Sequence, residues 1–437
     1  MSKSDNSLGE SRRKFLQNAS LLIAALPLAK LNSFAAPPFA AEATIINTPQ
    51  TLVAEPRLHL SFGAERMVMN DGLQPSMLCT KKGTLIVQSQ LSTKPLPSQR
   101  IFYPYAIQTV ISRDGGNTWK EFPLKPGENG VNMEGGAIQL RNGEIIALET
   151  YVTPGKSTGE GAGLLYSSKD DWKTLDGPEE ITFNIPGANF HGSTDDGGRP
   201  HASMRLHRRI MQLPNSDLLT TIYGWVEGHK EPSGYTFTMK KTRVMLFRST
   251  SKGLHWDYVS TIAVDPKVGT EGFGEPVIVR VSKGVHKGRL ICQMRTGRDL
   301  YEAISEDEGR TWSKSMPRVF ANLDVYKTDE WAQMFEGVKR GGVLVKDNPN
   351  EFISAMVDPD LLELRNGILV AAFGLRIPAR ANFANPKHPW NGNYLAFSLD
   401  GGDTWGHVVR MTSGVSTTHY MAVEETPKDN NIFVVYD

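Results

Sequence analysis

Ser398-Leu-Asp-Gly-Gly-Asp-Thr-Trp405 is one of three copies of the pattern S-x-D-x-G-x-T-W; the others are Ser112-Arg-Asp-Gly-Gly-Asn-Thr-Trp119 and Ser305-Glu-Asp-Glu-Gly-Arg-Thr-Trp312. The residue types suit a tight turn between two strands. A short Asp side chain accepts hydrogen bonds from its own turn, Gly permits positive φ, and Trp fills the apolar gap beneath. Ser249-Thr-Ser-Lys-Gly-Leu-His-Trp256 keeps the Ser, Gly and Trp but has Ser251 for the Asp, and Ser167-Ser-Lys-Asp-Asp-Trp-Lys-Thr-Leu175 keeps only a polar turn and an aromatic. The pattern is a hairpin fastener, and its recurrence marks a repeat architecture rather than a reaction centre.

Between the fasteners, from Arg57 onward, short alternating runs are bounded by Gly, Asn and Asp, and no long 3.6-residue period occurs. Aligning the runs on their first turn puts Gly83, Gly143, Ser216, Gly284 and Gly367 at one place, and Tyr420 to Tyr436 forms a sixth hairpin turning at Lys428-Asp-Asn-Asn431. The expected fold is therefore all-β: a six-bladed β-propeller of four-stranded antiparallel blades, filling residues 41–437. No outer strands follow the last hairpin, so Ala43 to Ile46 and Arg57 to Phe62 are expected to supply them and close the ring; the alternative is a C-terminally shortened chain. Two insertions, Asn184 to Arg205 and Phe320 to Asn350, are expected at a rim or lid.

Composition narrows the function classes. The 437 residues include 48 basic and 47 acidic ones, a balance that argues for neither nucleic acid nor an acidic membrane as partner. Cys79 and Cys292 cannot make a disulfide framework, and both are expected as buried free thiols. Ser11-Arg-Arg-Lys-Phe-Leu-Gln17, the apolar run Leu21 to Leu28 and the small residues near Ala35 to Ala41 resemble a twin-arginine export signal. Residues 1–40 are then removed, and the mature chain works in the periplasm or beyond. The apolar run is too short for a permanent membrane helix.

In a propeller the entrances of the first strands converge on one mouth of the central channel. Nine positions before each turn residue stand Gln74, Glu134, His207, Glu275 and Asp358, and the sixth place falls on His419 or Tyr420. All are polar, although the strands behind them are apolar. Arg295 and Arg376 end two apolar strands, where a guanidinium fork suits a carboxylate or sulfate; an ion pair with Glu275 or Asp358 is the structural alternative. His191, His201 and His207 lack the spacing of a zinc site, so neither metal nor cofactor is expected.

With these residues in place the chain resembles the sialidase (neuraminidase) superfamily, whose six-bladed propellers carry such Asp boxes. The resemblance implies that Tyr420 attacks an anomeric carbon, that Glu275 takes its proton, and that Arg295 and Arg376 clamp the substrate's acid group. Two family features are absent. The first arginine is replaced by Leu73-Gln-Pro-Ser76, and Ser92 to Thr109, where the acid-base aspartate belongs, holds no Asp or Glu. Arg100 is the candidate to replace the guanidinium; His207, Glu134 or the Asp195-Asp196 stretch are candidates for the acid. The implied activity is exo-hydrolysis of an acidic glycan. Two alternatives are elimination of a uronate polysaccharide, with His207 or Tyr420 as base and acid, and a non-catalytic glycan- or protein-binding propeller.

Overall fold

The computed structural model describes residues 50–55, 58–95, 105–124, 130–188, 190, 194–195, 200–201, 203–228, 230–233, 240–269, 271–320, 339–340, 343–344, 355–376, 391–412, 417–427 and 431–437. The export segment, Ala43 to Ile46, Arg100, His191, Asp196 and most of the second insertion lie outside them.

Strands dominate, and the described residues contain a single 3-10 turn, Met133–Gly135. Three antiparallel sheets have four strands in sequence order. The first is Leu73–Cys79, Leu85–Pro95, Tyr105–Ser112 and Lys120–Glu121; the second is Gly274–Arg280, Leu290–Arg295, Leu300–Ser305 and Met316–Pro317; the third is Ala355–Glu363, Leu369–Arg376, Gly392–Ser398 and Gly406–Arg410. A two-stranded hairpin, Met421–Glu425 with Ile432–Tyr436, ends the chain.

A sheet of ten strands contains two more antiparallel runs of four, and short two-stranded pairs make up the remaining sheets. One run of four is Ala137–Gln139, Ile145–Leu148, Glu160–Ser168 and Asp176–Asn184; the other is Met211–Gln212, Leu218–Gly224, Arg243–Ser249 and His255–Ala263. Tyr151–Pro154 pairs with Met204–Leu206 to join them at one edge, and parallel pairing of Thr182, Phe183 and Asn184 with His255, Trp256 and Asp257 joins them at the other. These contacts close seven strands into a barrel-like loop.

The apolar clusters lie between successive sheets. Leu78, Ile86 and Ile111 pack on Met133, Ile145 and Trp172; Leu246 and Phe273 meet Ile278 and Cys292; Val277 and Ile291 meet Leu369 and Phe373. The last cluster joins Val370 and Phe397 to Met421, Val423 and Leu58, with Leu60, Phe62, Ile432 and Val434 against it. Burying both faces of each sheet in this way is what its apolar strands require. The circuit returns to its start where Gly116 lies against Phe433: a Cβ there would come within 2.6 Å of the ring.

The expected turns are present. Gly83, Gly143, Ser216, Gly284 and Gly367 all have positive φ, from 74° to 94°. Of the two runs expected to close the ring, Ala43 to Ile46 lies outside the described residues, while Leu58–Phe62 pairs with Gln50–Glu55 and reaches the last hairpin through apolar packing. Both thiols are free, with Cys292 buried and Cys79 only half-buried.

The fasteners form as their residues dictate. Ser112 Oγ donates to Asp114 Oδ1 at 2.8 Å and accepts from Gly116 N at 2.8 Å, while Thr118 donates from N and Oγ1 to the Asp114 carboxylate at 2.9 and 2.6 Å. Ser305, Asp307, Gly309 and Thr311 repeat this set. The Thr hydroxyl and amide hold Asp114 and Asp307 down at about 2. The worn copy near Trp172 is more complete than its sequence suggests. Its frame begins at Ser168: Asp170 binds Ser168 and Thr174, and Trp172 occupies the glycine position at φ 61°, its N–H donating to Ser168 Oγ.

Candidate active site

Three of the first strands begin with an irregularity that turns one side chain toward the centre; in the second repeat Glu134 is instead presented by the 3-10 turn Met133–Gly135. Ladder pairing shifts between Leu73 and Ser76, Gly274 and Val277, and Val357 and Asp360. Inside those shifts Gln74, Glu275 and Asp358 have φ of 55°, 40° and 48°, and each is followed by proline. A bulged residue leaves the ladder and is re-aimed, and proline's missing N–H costs no pairing there. His419, at φ 58°, plays this part before the last hairpin. In the third repeat the left-handed residue is Arg208, one beyond the expected His207, and both side chains face inward.

Four of the expected residues meet. The Tyr420 hydroxyl donates to Glu275 Oε1, and Arg295 Nη1 donates to that same oxygen at 2.6 Å and to Tyr420 Oη at 3.0 Å. Arg376 lies over the Tyr420 ring, its guanidinium carbon 5.5 Å from the ring centroid, and Nε holds the Thr418 carbonyl at 2.8 Å. A cation over an aromatic face is attracted by the ring's quadrupole. Burial works to raise the Glu275 carboxyl, but Arg295, His207 and the Tyr420 hydrogen bond outweigh it and hold it well below the usual carboxylate range. Burial and the Glu275 charge push the Tyr420 phenol well above its ordinary value. The resting pair is therefore a phenol on a carboxylate.

Glu275 connects to the rest of the ring. Its Oε2 accepts the Asp358 N–H at 3.1 Å, and Asp358 Oδ1 lies 3.1 Å from His207 Nε2. Glu134 is clasped by Arg205 Nη2, which reaches both its oxygens at 3.1 Å, and stands 3.8 Å from His207. Arg208 holds Asp358 at two points and also donates to the Met421 carbonyl at 2.7 Å. Gln74 joins through Asp437, whose carboxylate accepts the Gln74 N–H at 2.9 Å and the Tyr420 N–H at 3.2 Å. Its side chain accepts from Gln90, so amides stand where a guanidinium is expected from the resemblance.

His419 is fully buried, its Nδ1 3.2 Å from Thr417 Oγ1. Burial and the nearby Arg376 charge push it down to about 3.

His207, Glu275 and Asp358 bring ligand atoms within 4.8 Å of one another. Arg208 and Arg295 already occupy the carboxylate oxygens, so a divalent ion would have to displace a buried guanidinium.

Glu134 and His207, two candidates for the acid, are tied into this inner network and fully or almost fully buried. Asp195 lies in the two-residue strand Thr194–Asp195, paired with Pro200–His201, and its side chain is outside the described ones. Sequence reasoning missed Arg208 and Glu271. The first is signalled by the His207-Arg-Arg209 run. Glu271, which accepts from Arg295 Nη2 at 2.9 Å, has no local signal because it reaches the site from a loop.

No family model matches the chain, and no curated protein does. Among solved structures it is similar to a protein of unknown function from Dyadobacter fermentans DSM 18053, at 15% identity over 84% of this chain and 90% of that one, with a TM-score of 0.51. It is also similar to the alpha-L-arabinofuranosidase ARB93A of Fusarium graminearum, at 14% identity over 84% and 88%, TM-score 0.50. A Hadza microbial sialidase, Hz136, matches at 16% over 84% of this chain and 63% of that one, TM-score 0.48. The chain shares the all-β propeller-type fold of this group, in which the named activities are those of glycoside hydrolases.

Proposed function

We propose that the chain is an exo-acting glycoside hydrolase on a six-bladed propeller, exported as its N-terminus suggests, with Tyr420 as nucleophile and Glu275 as its base. The observation that carries this reading is the Tyr420–Glu275–Arg295 contact. As the Tyr420 oxygen bonds to the anomeric carbon, its proton passes to Glu275 Oε1, already hydrogen-bonded to it. Arg295, touching both oxygens, balances the charge as it moves from carboxylate to phenolate oxygen. A tyrosine nucleophile suits an anomeric centre that bears a carboxylate, because the neutral phenol approaches it with less repulsion than a carboxylate would. Arg376 stands beside that nucleophile with its charge available to an acid group.

A second reading, a neutral sugar, is favoured by the Gln74–Gln90 amide pair and by the commitment of Arg295 to two carboxylates. One experiment tests both. The mature chain, Tyr420→Phe and Glu275→Ala are assayed on aryl glycosides of a sialic acid, a uronic acid and L-arabinofuranose. The reading expects turnover that falls by roughly 10²–10⁴ in each variant; equal activity of all three proteins removes it. Release of a 4,5-unsaturated uronate would instead favour elimination.

A further inference from the structure

The hydrolase reading leaves one role empty: a group that protonates the leaving oxygen and later activates water. From the geometry around Arg295 we infer that Glu271 is that general acid and base, an inference that rests on the hydrolase reading above.

One guanidinium holds both carboxyl groups. Arg295 Nη1 donates to Glu275 Oε1 at 2.6 Å and to Tyr420 Oη at 3.0 Å, while Nη2 donates to Glu271 Oε1 at 2.9 Å. Glu271 is thus fixed one guanidinium width from the nucleophile and its base. Its side chain is 18% exposed against 9% for Glu275, so of the two carboxyls it is the more accessible to a leaving group. Oε1 is engaged by Arg295, and Oε2 has no hydrogen-bond partner among the described residues. The loop that carries it is anchored: the Glu271 carbonyl accepts the Thr242 N–H at 3.0 Å and the Thr242 hydroxyl at 3.2 Å, and the next residue, Gly272, sits at φ 83° where a Cβ would meet Thr242 backbone at 2.5 Å.

The charges facing Glu271 are Arg295, Glu275 and Arg376. Burial and Glu275 raise its carboxyl against the pull of the two arginines, with the net result upward. Glu275, more strongly neutralised by Arg295 and His207, moves the opposite way. Two carboxyls driven apart in this manner divide into a proton donor and an anion.

The cycle balances. Tyr420 bonds to the anomeric carbon and its proton goes to Glu275; the bond from that carbon to the leaving oxygen breaks, and the oxygen takes the Glu271 proton. In the second half Glu271 removes a proton from water as the water oxygen bonds to the anomeric carbon. The Tyr420–carbon bond breaks, and Tyr420 regains its proton from Glu275.

The test compares leaving groups. Glu271→Gln keeps an acceptor for Arg295 but cannot donate an acidic proton. On 4-nitrophenyl glycosides of a sialic acid, a uronic acid and L-arabinofuranose, the variant's first step should stay within about 10-fold of wild type, because nitrophenolate leaves unaided. On the matching methyl glycosides kcat/KM should fall by roughly 10²–10⁴, and the alkaline limb of the pH profile should vanish. An equal loss on both substrate types, with the pH profile unchanged, would mean that Glu271 only positions Arg295 and would overturn the inference. Tyr420→Phe separates the two claims: a leaving-group effect in Glu271→Gln together with wild-type activity in Tyr420→Phe keeps the acid and removes the nucleophile. Absence of turnover by the wild type on every glycoside removes both.

Discussion

Arg208 meets Asp358 through two guanidinium nitrogens, with Asp358 fully buried and Arg208 5% exposed. The pair ties the third repeat to the fifth across the centre, and Asp358 also accepts the Met421 N–H at 3.0 Å. Removing one partner of a buried ion pair strands the other's charge. Arg208→Met is therefore expected to lower unfolding free energy by about 3–5 kcal/mol, measured by urea titration followed by circular dichroism. Arg208→Met/Asp358→Leu should cost less than the sum of the single changes. Strict additivity would show that the two residues do not act as a pair.

The fastener at Ser249 offers a gain. Ser251 replaces the usual Asp; its hydroxyl accepts the His255 N–H at 2.9 Å, and its only other contacts among the described residues, to the His255 carbonyl and Ser249 Oγ, are long at 3.3 Å. A carboxylate there can accept that N–H more strongly and draw the Ser249 hydroxyl into a shorter bond, as Asp114 does with Ser112 at 2.8 Å. Ser251→Asp should stabilise the chain by about 0.5–1 kcal/mol, seen as a higher thermal midpoint. An unchanged or lower midpoint would show that Ser251 already satisfies this turn.

The contrast between these regions explains what the sequence could reveal. Fasteners and first turns depend on residues eight or fewer apart, so Asp114, Asp307 and Gly284 declare themselves. Because hairpin lengths are fixed, counting nine residues from the turn located Gln74, Glu275 and Asp358, each left-handed in the structure. The count slipped by one at Arg208, where the first strand breaks between Met204–Leu206 and Met211–Gln212. It misjudged the Ser168 turn because Trp172 stands in the glycine's place and Leu175 in the tryptophan's. Glu271 and the Arg205–Glu134 clasp depend on which chains the fold brings together, and no local spacing encodes that.

His419 makes stability sensitive to acid. In the folded chain burial and Arg376 keep it neutral down to about 3, whereas in the unfolded chain it titrates near 6.5. As pH falls below 6.5 the unfolded state takes up the proton first, so this group's contribution is whole above that pH and is lost toward pH 3. The loss is on the order of 5 kcal/mol. His419→Gln should flatten the slope between pH 6 and 4 in urea-unfolding midpoints. A slope identical to wild type would place the acid sensitivity elsewhere.

Arg376 distinguishes an acidic from a neutral substrate. Its Nε and Nη2 are spent on the Thr418 carbonyl, and the guanidinium stands over the Tyr420 ring. Glu271 and Asp437 feel its charge, but among the described residues no carboxylate is in salt-bridge contact with it, so its remaining nitrogen can meet a substrate acid beside the proposed nucleophile. If that charge grips a substrate acid, Arg376→Gln should raise KM for sialosides or uronides by roughly 10–100-fold, the worth of a charge-assisted hydrogen bond of about 1.5–3 kcal/mol. Neutral arabinofuranosides should be unaffected. Arg376→Lys should recover part of the loss, since it restores charge but not the two-point fork. A fall in kcat of the same size on charged and neutral glycosides would assign Arg376 to holding Tyr420 in place, and the acidic-glycan reading would lose its remaining cation.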